Sequence, residues 1–323
     1  MSGGADAALG TGSGTGSGTS TTPRVPGVRA LVEGAVRVLD EAGVPSPRVD
    51  ATALAAFVLG LPRLELALAP DPAPEGFVEQ FAALVDRRRA REPLQHIVGH
   101  TAFRYLTLRV EPGVFVPRPE TEVVAQVAID EAARLVAAGR SPLVVDLCCG
   151  TGAIALSVDT EVPGARVVAV DLSAEAVALT RANSGAVGTG RLRVEQGDVR
   201  AADLLADLVG TVDVLVSNPP YVPPHAVPRE PEVRDHDPDL ALYGGGADGL
   251  DVPRAVIAAA SRLLAPGGLL VLEHAEVQDV DARVAAAQTG AFVEIATLPD
   301  LTGRPRMLVA RRSSAPHVAG SFA

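Results

Sequence analysis

Apolar positions in this chain follow two alternating periods. From about Val28, the residues Leu31, Ala35, Val38, Leu39 and Ala42 recur at helical spacing, and a second face of Ala51, Leu54, Ala55, Val58 and Leu59 follows Pro47. A third helix is expected over about 75–90. Between 103 and 116 the period shortens to two, which predicts a hairpin turning at Glu111-Pro112-Gly113. Beyond it, short strand-like runs at 143–147, 166–171, 194–198, 212–217, 268–273 and 292–298 alternate with helical stretches, as a parallel α/β sheet requires. A further run, 307–310, follows a proline-containing turn with no helix before it. No internal repeat is present.

Run 212–217 stops at Asn218-Pro219-Pro220-Tyr221. Proline gives no ladder donor and holds the preceding residue extended, so the strand delivers Asn218 to the rim of the sheet. There the Asn218 side-chain carbonyl and the Pro219 backbone carbonyl are two acceptors aimed at one point, which suits an incoming NH2 group. The lone pair of an amide or exocyclic amine is delocalised. Gripping both N–H bonds orients the nitrogen and stabilises the positive charge that develops as it attacks an electrophile. Tyr221 can pack on the planar group. Taken alone, the tetrapeptide reads equally well as a simple turn.

Run 143–147 carries Asp146 and leads into Cys148-Cys149-Gly150-Thr151-Gly152 and an apolar helix start. Small residues there let the backbone approach a ligand, and the helix start offers free N–H groups. Asp171 ends the next strand about twenty residues on, where a ribose diol would be held. Asp198 closes the one after and is placed to accept from an adenine amino group. Such a turn alone serves NAD, FAD and S-adenosylmethionine alike. Asp146 suits a sulfonium cation better than a pyrophosphate. Joined to Asp171, Asp198 and the 218–221 strand end, the order is that of a methyltransferase.

Carrying these residues, the chain from about 27 to 312 resembles the bacterial protein-glutamine N5-methyltransferases that modify peptide chain release factors. The resemblance is carried further by Arg91-Glu92-Pro93-Leu94-Gln95-His96-Ile97-Val98-Gly99, Phe115-Val116-Pro117-Arg118-Pro119-Glu120-Thr121-Glu122 and segments 232–238, 248–251, 272–274 and 300–306. The Pro-Arg-Pro-Glu-Thr-Glu segment discriminates most, because general amine methyltransferases share only the cofactor turn and the Asn-Pro-Pro-Tyr element.

The resemblance implies an α/β fold: a class I S-adenosylmethionine-dependent methyltransferase domain over 118–312, with a Rossmann-like seven-stranded sheet whose last strand is antiparallel. It also implies a smaller N-terminal helical domain over 26–100 that engages the protein substrate and a β-hairpin linker over 101–117; the low complexity of the first two dozen residues predicts a flexible tail at 1–25, and a second is expected at 313–323. The implied reaction is methyl transfer from S-adenosylmethionine to the side-chain amide of the glutamine in the Gly-Gly-Gln motif of release factors. Asp146, Cys148, Cys149, Gly150, Thr151, Gly152, Asp171, Leu172, Asp198, Val199 and Asn218 would bind the cofactor. Asn218, Pro219, Pro220, Tyr221, Arg118 and Glu122 would bind substrate, with Asn218, Pro219 and Tyr221 carrying the catalysis. Relatives usually have glycine or a small polar residue at the place of Cys148 and Cys149. Cysteine is small enough for the turn, although a positive φ there would be strained.

Composition agrees. The 323 residues hold 47% hydrophobic and 21% charged positions, enough for a core built mainly of Ala, Val and Leu, since aromatics make up 3%. No apolar run is long enough to span a bilayer and no export signal is evident, so a soluble, cytoplasmic enzyme is expected. The six histidines and two cysteines show no metal-ligand spacing, and methyl transfer needs none. Arg87-Arg88-Arg89-Ala90-Arg91 reads as a solvated helix end, and a net charge of −11 argues against long nucleic-acid contacts. Glu273 and His274 sit at a strand end facing the cleft, where an acid more often caps or pairs with arginine. Three rivals stay open: methylation of a glutamine in another protein such as a ribosomal one, methylation of an adenine amino group in nucleic acid, and a noncatalytic cofactor-binding scaffold.

Overall fold

The computed structural model describes residues 25–314, so most of the expected terminal tails, including the Gly/Ser/Thr run at 10–19, lies outside the described residues. The chain divides into two compact units between Val85 and Asp86. In the first, α1 (Val28–Glu41) buries Val28, Val32, Ala35 and Leu39; of the expected stripe, Ala35 and Leu39 are buried and Leu31, Val38 and Ala42 half-buried. Helix α2 (Pro47–Val58) starts on Pro47, whose missing N–H costs nothing at a helix start, and buries Ala51, Leu54 and Ala55. Helix α3 (Phe77–Arg89) opens with Phe77 stacked on Phe81 at 5.2 Å between centroids.

The second unit takes in the basic end of α3 and continues with α4 (Leu94–Val98), β1 (His100–Phe103) and β2 (Leu106–Arg109). β1 and β2 form an antiparallel hairpin with Phe103 opposite Leu106, so the chain reverses at Arg104-Tyr105 and not at Glu111-Pro112-Gly113. Long-range contacts override the local turn signal. Arg104 adopts a left-handed φ of 52° and is held there by Glu161 at 2.6 Å and Gln126 at 2.9 Å. The Glu111 segment makes a separate turn, closed by the Val114 N–H on the Glu111 carbonyl.

Then follow α5 (Thr121–Ala137), β3 (Leu143–Leu147), α6 (Ala153–Glu161), β4 (Arg166–Asp171), α7 (Ala174–Val187), β5 (Arg193–Gln196) and β6 (Val212–Ser217). After β6 come α8 (Pro231–His236), α9 (Asp239–Leu242), α10 (Asp251–Leu263), β7 (Leu264–Glu273), α11 (Asp279–Gln288), β8 (Phe292–Pro299) and β9 (Pro305–Arg312). The seven strands from β3 onward pair in the order β5-β4-β3-β6-β7-β9-β8. All pairings are parallel except those of β9, which runs antiparallel between β7 and β8. This is the α/β architecture that the alternating runs require.

Strand alternation sends Val144, Val214, Val216 and Val271 to one face, against α5 and α6, and Val145, Leu147, Leu215 and Leu270 to the other, against α10 and α11. β3 and β6 are neighbours with Leu147 level with Ser217. The Cys148 turn and Asn218 therefore leave the sheet side by side, where the chain order reverses direction and ligands of open α/β sheets bind.

Candidate active site

A cavity of about 480 Å³ opens over the carboxyl ends of β3, β4 and β6, within the size range of small-molecule sites. Its floor is the turn after β3. Gly150 and Gly152 take φ of 55° and 82°, and a Cβ on Gly152 would stand 2.9 Å from the Thr180 side chain, so glycine is required there. Cys148 has φ of 60°, which costs a non-glycine residue about 1 kcal/mol. Burial pushes both thiols up, which keeps them protonated, and Cys149 lies 3.6 Å from the Thr180 hydroxyl.

Asp171 caps this turn. Its Oδ2 accepts the Gly150 N–H at 2.8 Å and its Oδ1 the Ser173 N–H at 2.9 Å; burial raises its pKa against these bonds. Leu172 and Val199 flank it on the wall, as does Asp198, which is engaged by Arg200 at 2.9 Å and held below its usual pKa by that pairing. Apolar side chains beside a carboxylate at a β4 end form a cradle for a nucleoside.

Asp146 is not on that wall. It shares the parity of Val144 along β3 and so points beneath the turn toward α6, where Oδ2 accepts the Ala155 N–H at 3.0 Å. It is 1% exposed, Oδ1 has no partner, and burial pushes its pKa up to about 8. It supports the turn from below and holds a proton at neutral pH; it does not face the cavity as a carboxylate.

At the other end stand Asn218, Pro219, Pro220 and Tyr221. The Asn218 Nδ2–H donates to Thr121 Oγ1 at 3.1 Å, which leaves the Oδ1 acceptor available. Among the described residues nothing donates to the Pro219 carbonyl. The motif's exit is fixed by Gln278, whose amide donates at 2.8 Å to the carbonyls of both Tyr221 and Asp248, and by Val222 N–H on the Leu242 carbonyl. Close packing explains the Asp-Gly-Leu-Asp segment, since a Cβ on Gly249 would lie 2.3 Å from the Tyr221 carbonyl. Phe115, Pro117, Pro238 and Leu240–Tyr243 complete the wall.

Arg118 and Glu122 stand behind it. Arg118 lies over the Phe115 ring at 4.9 Å and pairs with Asp237, next to Pro238, so it orders two wall residues rather than touching the space itself. Glu122 accepts the Arg104 N–H at 3.0 Å. Gly152 likewise shapes the turn without lining the space. The segment carrying α8 is tied down through Glu232, which Arg88 and Arg91 hold at 2.6 Å each; against burial, these arginines keep its pKa at about 2.

Thr121, Phe115, Gln278 and the 240–243 segment are site residues that patterning did not single out. Thr121 does lie in the discriminating Pro-Arg-Pro-Glu-Thr-Glu segment, and Phe115 stands two residues before it. Glu273 was placed facing the cleft; it is 2% exposed and instead accepts from the Tyr221 hydroxyl at 3.3 Å.

The chain matches two family models, "PrmC N-terminal domain" over residues 30–99 and "Methyltransferase small domain" over residues 107–230. It is 45% identical over 291 residues to the release factor glutamine methyltransferase of Bifidobacterium longum, spanning 87% of this chain and 98% of that one. The release factor glutamine methyltransferase of Streptomyces coelicolor is 47% identical over 285 residues, with 88% and 98% covered. The same-named protein of Mycobacterium tuberculosis strain H37Rv is 41% identical over 289 residues, with 88% and 91% covered.

Proposed function

The chain belongs to the release factor glutamine methyltransferase family, and from that premise we propose that it methylates the side-chain amide nitrogen (N5) of the Gly-Gly-Gln glutamine in peptide chain release factors, in support of translation termination. The observation that carries the chemistry is the pair of available acceptors at the end of β6, Asn218 Oδ1 and the Pro219 carbonyl. Bound S-adenosylmethionine supplies an electrophilic methyl group. The residues lining the cavity suit it: Asp171 would hold the ribose, Leu172 and Val199 would flank the base, and the turn from Cys148 through Thr151 would lie beneath.

Asn218 and Pro219 accept the two N–H bonds of the glutamine amide, and Tyr221 packs on its plane. This grip removes rotational freedom and raises electron density on nitrogen, so no strong base is needed before attack. The apolar side chains of Phe115, Leu240 and Leu242 line the space beside the amide, and a low-dielectric lining strengthens dipolar contacts. We assign residues 26–100 to substrate engagement, and Arg118 and Glu122 to shaping the entrance around Phe115 and the hairpin.

No helix among the described residues is long and apolar enough to cross a membrane, and we place the enzyme in the cytoplasm, where its substrate works. Mass spectrometry of a release factor incubated with the protein and S-adenosylmethionine tests the reading. One added methyl on the Gly-Gly-Gln glutamine, absent when that residue is replaced, is expected. Cofactor binding with no transfer to the release factor would redirect the assignment to other glutamine-bearing proteins and then to nucleic acid.

A further inference from the structure

Two acceptors at the end of β6 work only if the Asn218 amide presents oxygen, not NH2, to the cavity. Nothing in Asn218 itself decides this, because its two amide faces differ little in shape. What decides it is Thr121 at the start of α5, whose Oγ1 lies 3.1 Å from Nδ2. A hydroxyl can both give and take a hydrogen bond, so it orients an amide only if its own proton is committed elsewhere.

Behind Thr121 lies Glu273, at the end of β7 and off the cavity wall. The Thr121 hydroxyl acts on the Glu273 carboxyl and favours its charged form, although the contact falls short of hydrogen-bond geometry and Oε2 is buried without a partner. Oε1 takes the Tyr221 hydroxyl at 3.3 Å. Arg306, anchored on Asp300 at 3.1 Å, adds a favourable charge to both Tyr221 and Glu273. Burial opposes ionisation and places the Glu273 pKa at about 7. The carboxyl thus accepts from the Tyr221 hydroxyl through Oε1 and keeps Oε2 buried and unpartnered beside Thr121.

We propose that Thr121 and Glu273 are positioning residues: Glu273 draws the Thr121 proton away from Asn218, and the Thr121 oxygen then holds the Asn218 NH2 so that Oδ1 faces the substrate. This deepens the release factor reading and takes its assay substrate from it. An amide at 273 reverses the relay, because its NH2 donates to Thr121, whose proton then turns to Asn218 Oδ1. The site would present a donor to a donor.

The chain contains only two asparagines, Asn183 and Asn218, so asparagine labelled with 15N at the side-chain amide alone reports two side-chain amides and nothing else. Asn183 Nδ2 is buried on the Arg109 and Thr151 carbonyls and serves as an internal reference. In Thr121→Val the Asn218 amide proton shifts should move while those of Asn183 stay. Turnover on release factor should fall about 10-fold or more, from loss of one orienting hydrogen bond. Calorimetric affinity for S-adenosylmethionine should hold within about 2-fold, and Thr121→Ser, which restores the hydroxyl, should recover both spectrum and turnover. Glu273→Gln should move the same Asn218 resonances with Thr121 intact, which keeps the idea testable if the valine variant folds poorly. Asn218 shifts in both Thr121→Val and Glu273→Gln that match the wild type would overturn the relay. If the wild type transfers no methyl to release factor, the functional reading fails, while the amide spectra still decide the relay.

Discussion

Replacing Asp146 with asparagine tests the buried floor of the site. In the folded chain the Asp146 carboxyl titrates at about 8, because burial outweighs its bond from the Ala155 N–H; unfolded, it titrates near the ordinary value of about 3.9. The folded form thus keeps a proton that the unfolded form has released. Stability from this group is fully present below about pH 4, declines as pH rises, and is lost by about pH 8. At 1.36 kcal/mol per unit, and allowing for half-ionisation at pH 8, the loss between pH 6 and pH 8 is about 2 kcal/mol. The asparagine of the Asp146→Asn variant does not titrate. Its carbonyl can keep the Ala155 bond, and any penalty from placing NH2 where Oδ1 has no partner is the same at both pH values.

The comparison is therefore a double difference, which cancels that penalty. Urea unfolding of the wild type and of Asp146→Asn at pH 6 and pH 8 should show the variant gaining about 2 kcal/mol on the wild type over the interval. Equal pH dependence within about 0.5 kcal/mol would mean that Asp146 is already ionised when folded, and the account of a neutral floor would fail.

Asn218→Ala should cut turnover by about 100-fold or more while cofactor affinity stays within a few-fold, measured by methyl incorporation and calorimetry; undiminished turnover would sink the acceptor mechanism. Asp171→Ala removes the acceptor for the Gly150 and Ser173 N–H groups and should weaken S-adenosylmethionine binding about 10-fold or more by calorimetry. Gly152→Ala places a Cβ 2.9 Å from Thr180 at a φ of 82° and should cost about 1–3 kcal/mol in urea unfolding.

What patterning made legible is local. The 143–147 and 212–217 runs, the small-residue turn and the proline stop each declare themselves over a few residues, and the sheet follows from their alternation with helices. Contacts between distant segments leave no such trace. Thr121 and Asn218 are 97 positions apart, and Tyr221 and Glu273 are 52 apart; only the adjacency of β6 with β7 and the packing of α5 on the sheet bring them together. The hairpin shows the same limit, since Glu111-Pro112-Gly113 has every local turn signal, yet Arg104 wins because Glu161 and Gln126 reach it from α6 and α5. The orientation of Asp146 is hidden from the sequence for a related reason. Its place in the motif was plain, but the direction it faces depends on strand parity relative to helices whose side of the sheet a sequence does not state.

Burial moves the titratable groups beneath and beside the site in one direction. Asp146, Cys148, Cys149 and Tyr221 are all displaced toward their neutral forms, burial being the leading cause in each case. A floor with so little fixed charge screens poorly, so nearby dipoles act at greater strength than they would in water. At the end of β6 those dipoles are the Asn218 side-chain carbonyl and the Pro219 backbone carbonyl. Their direction, set by a strand end, a proline and the Thr121 contact, therefore governs how firmly an amide nitrogen is held and how well its developing positive charge is met. A stronger base at that point would carry the cost of burying its own charge, whereas two neutral acceptors provide the negative potential without it.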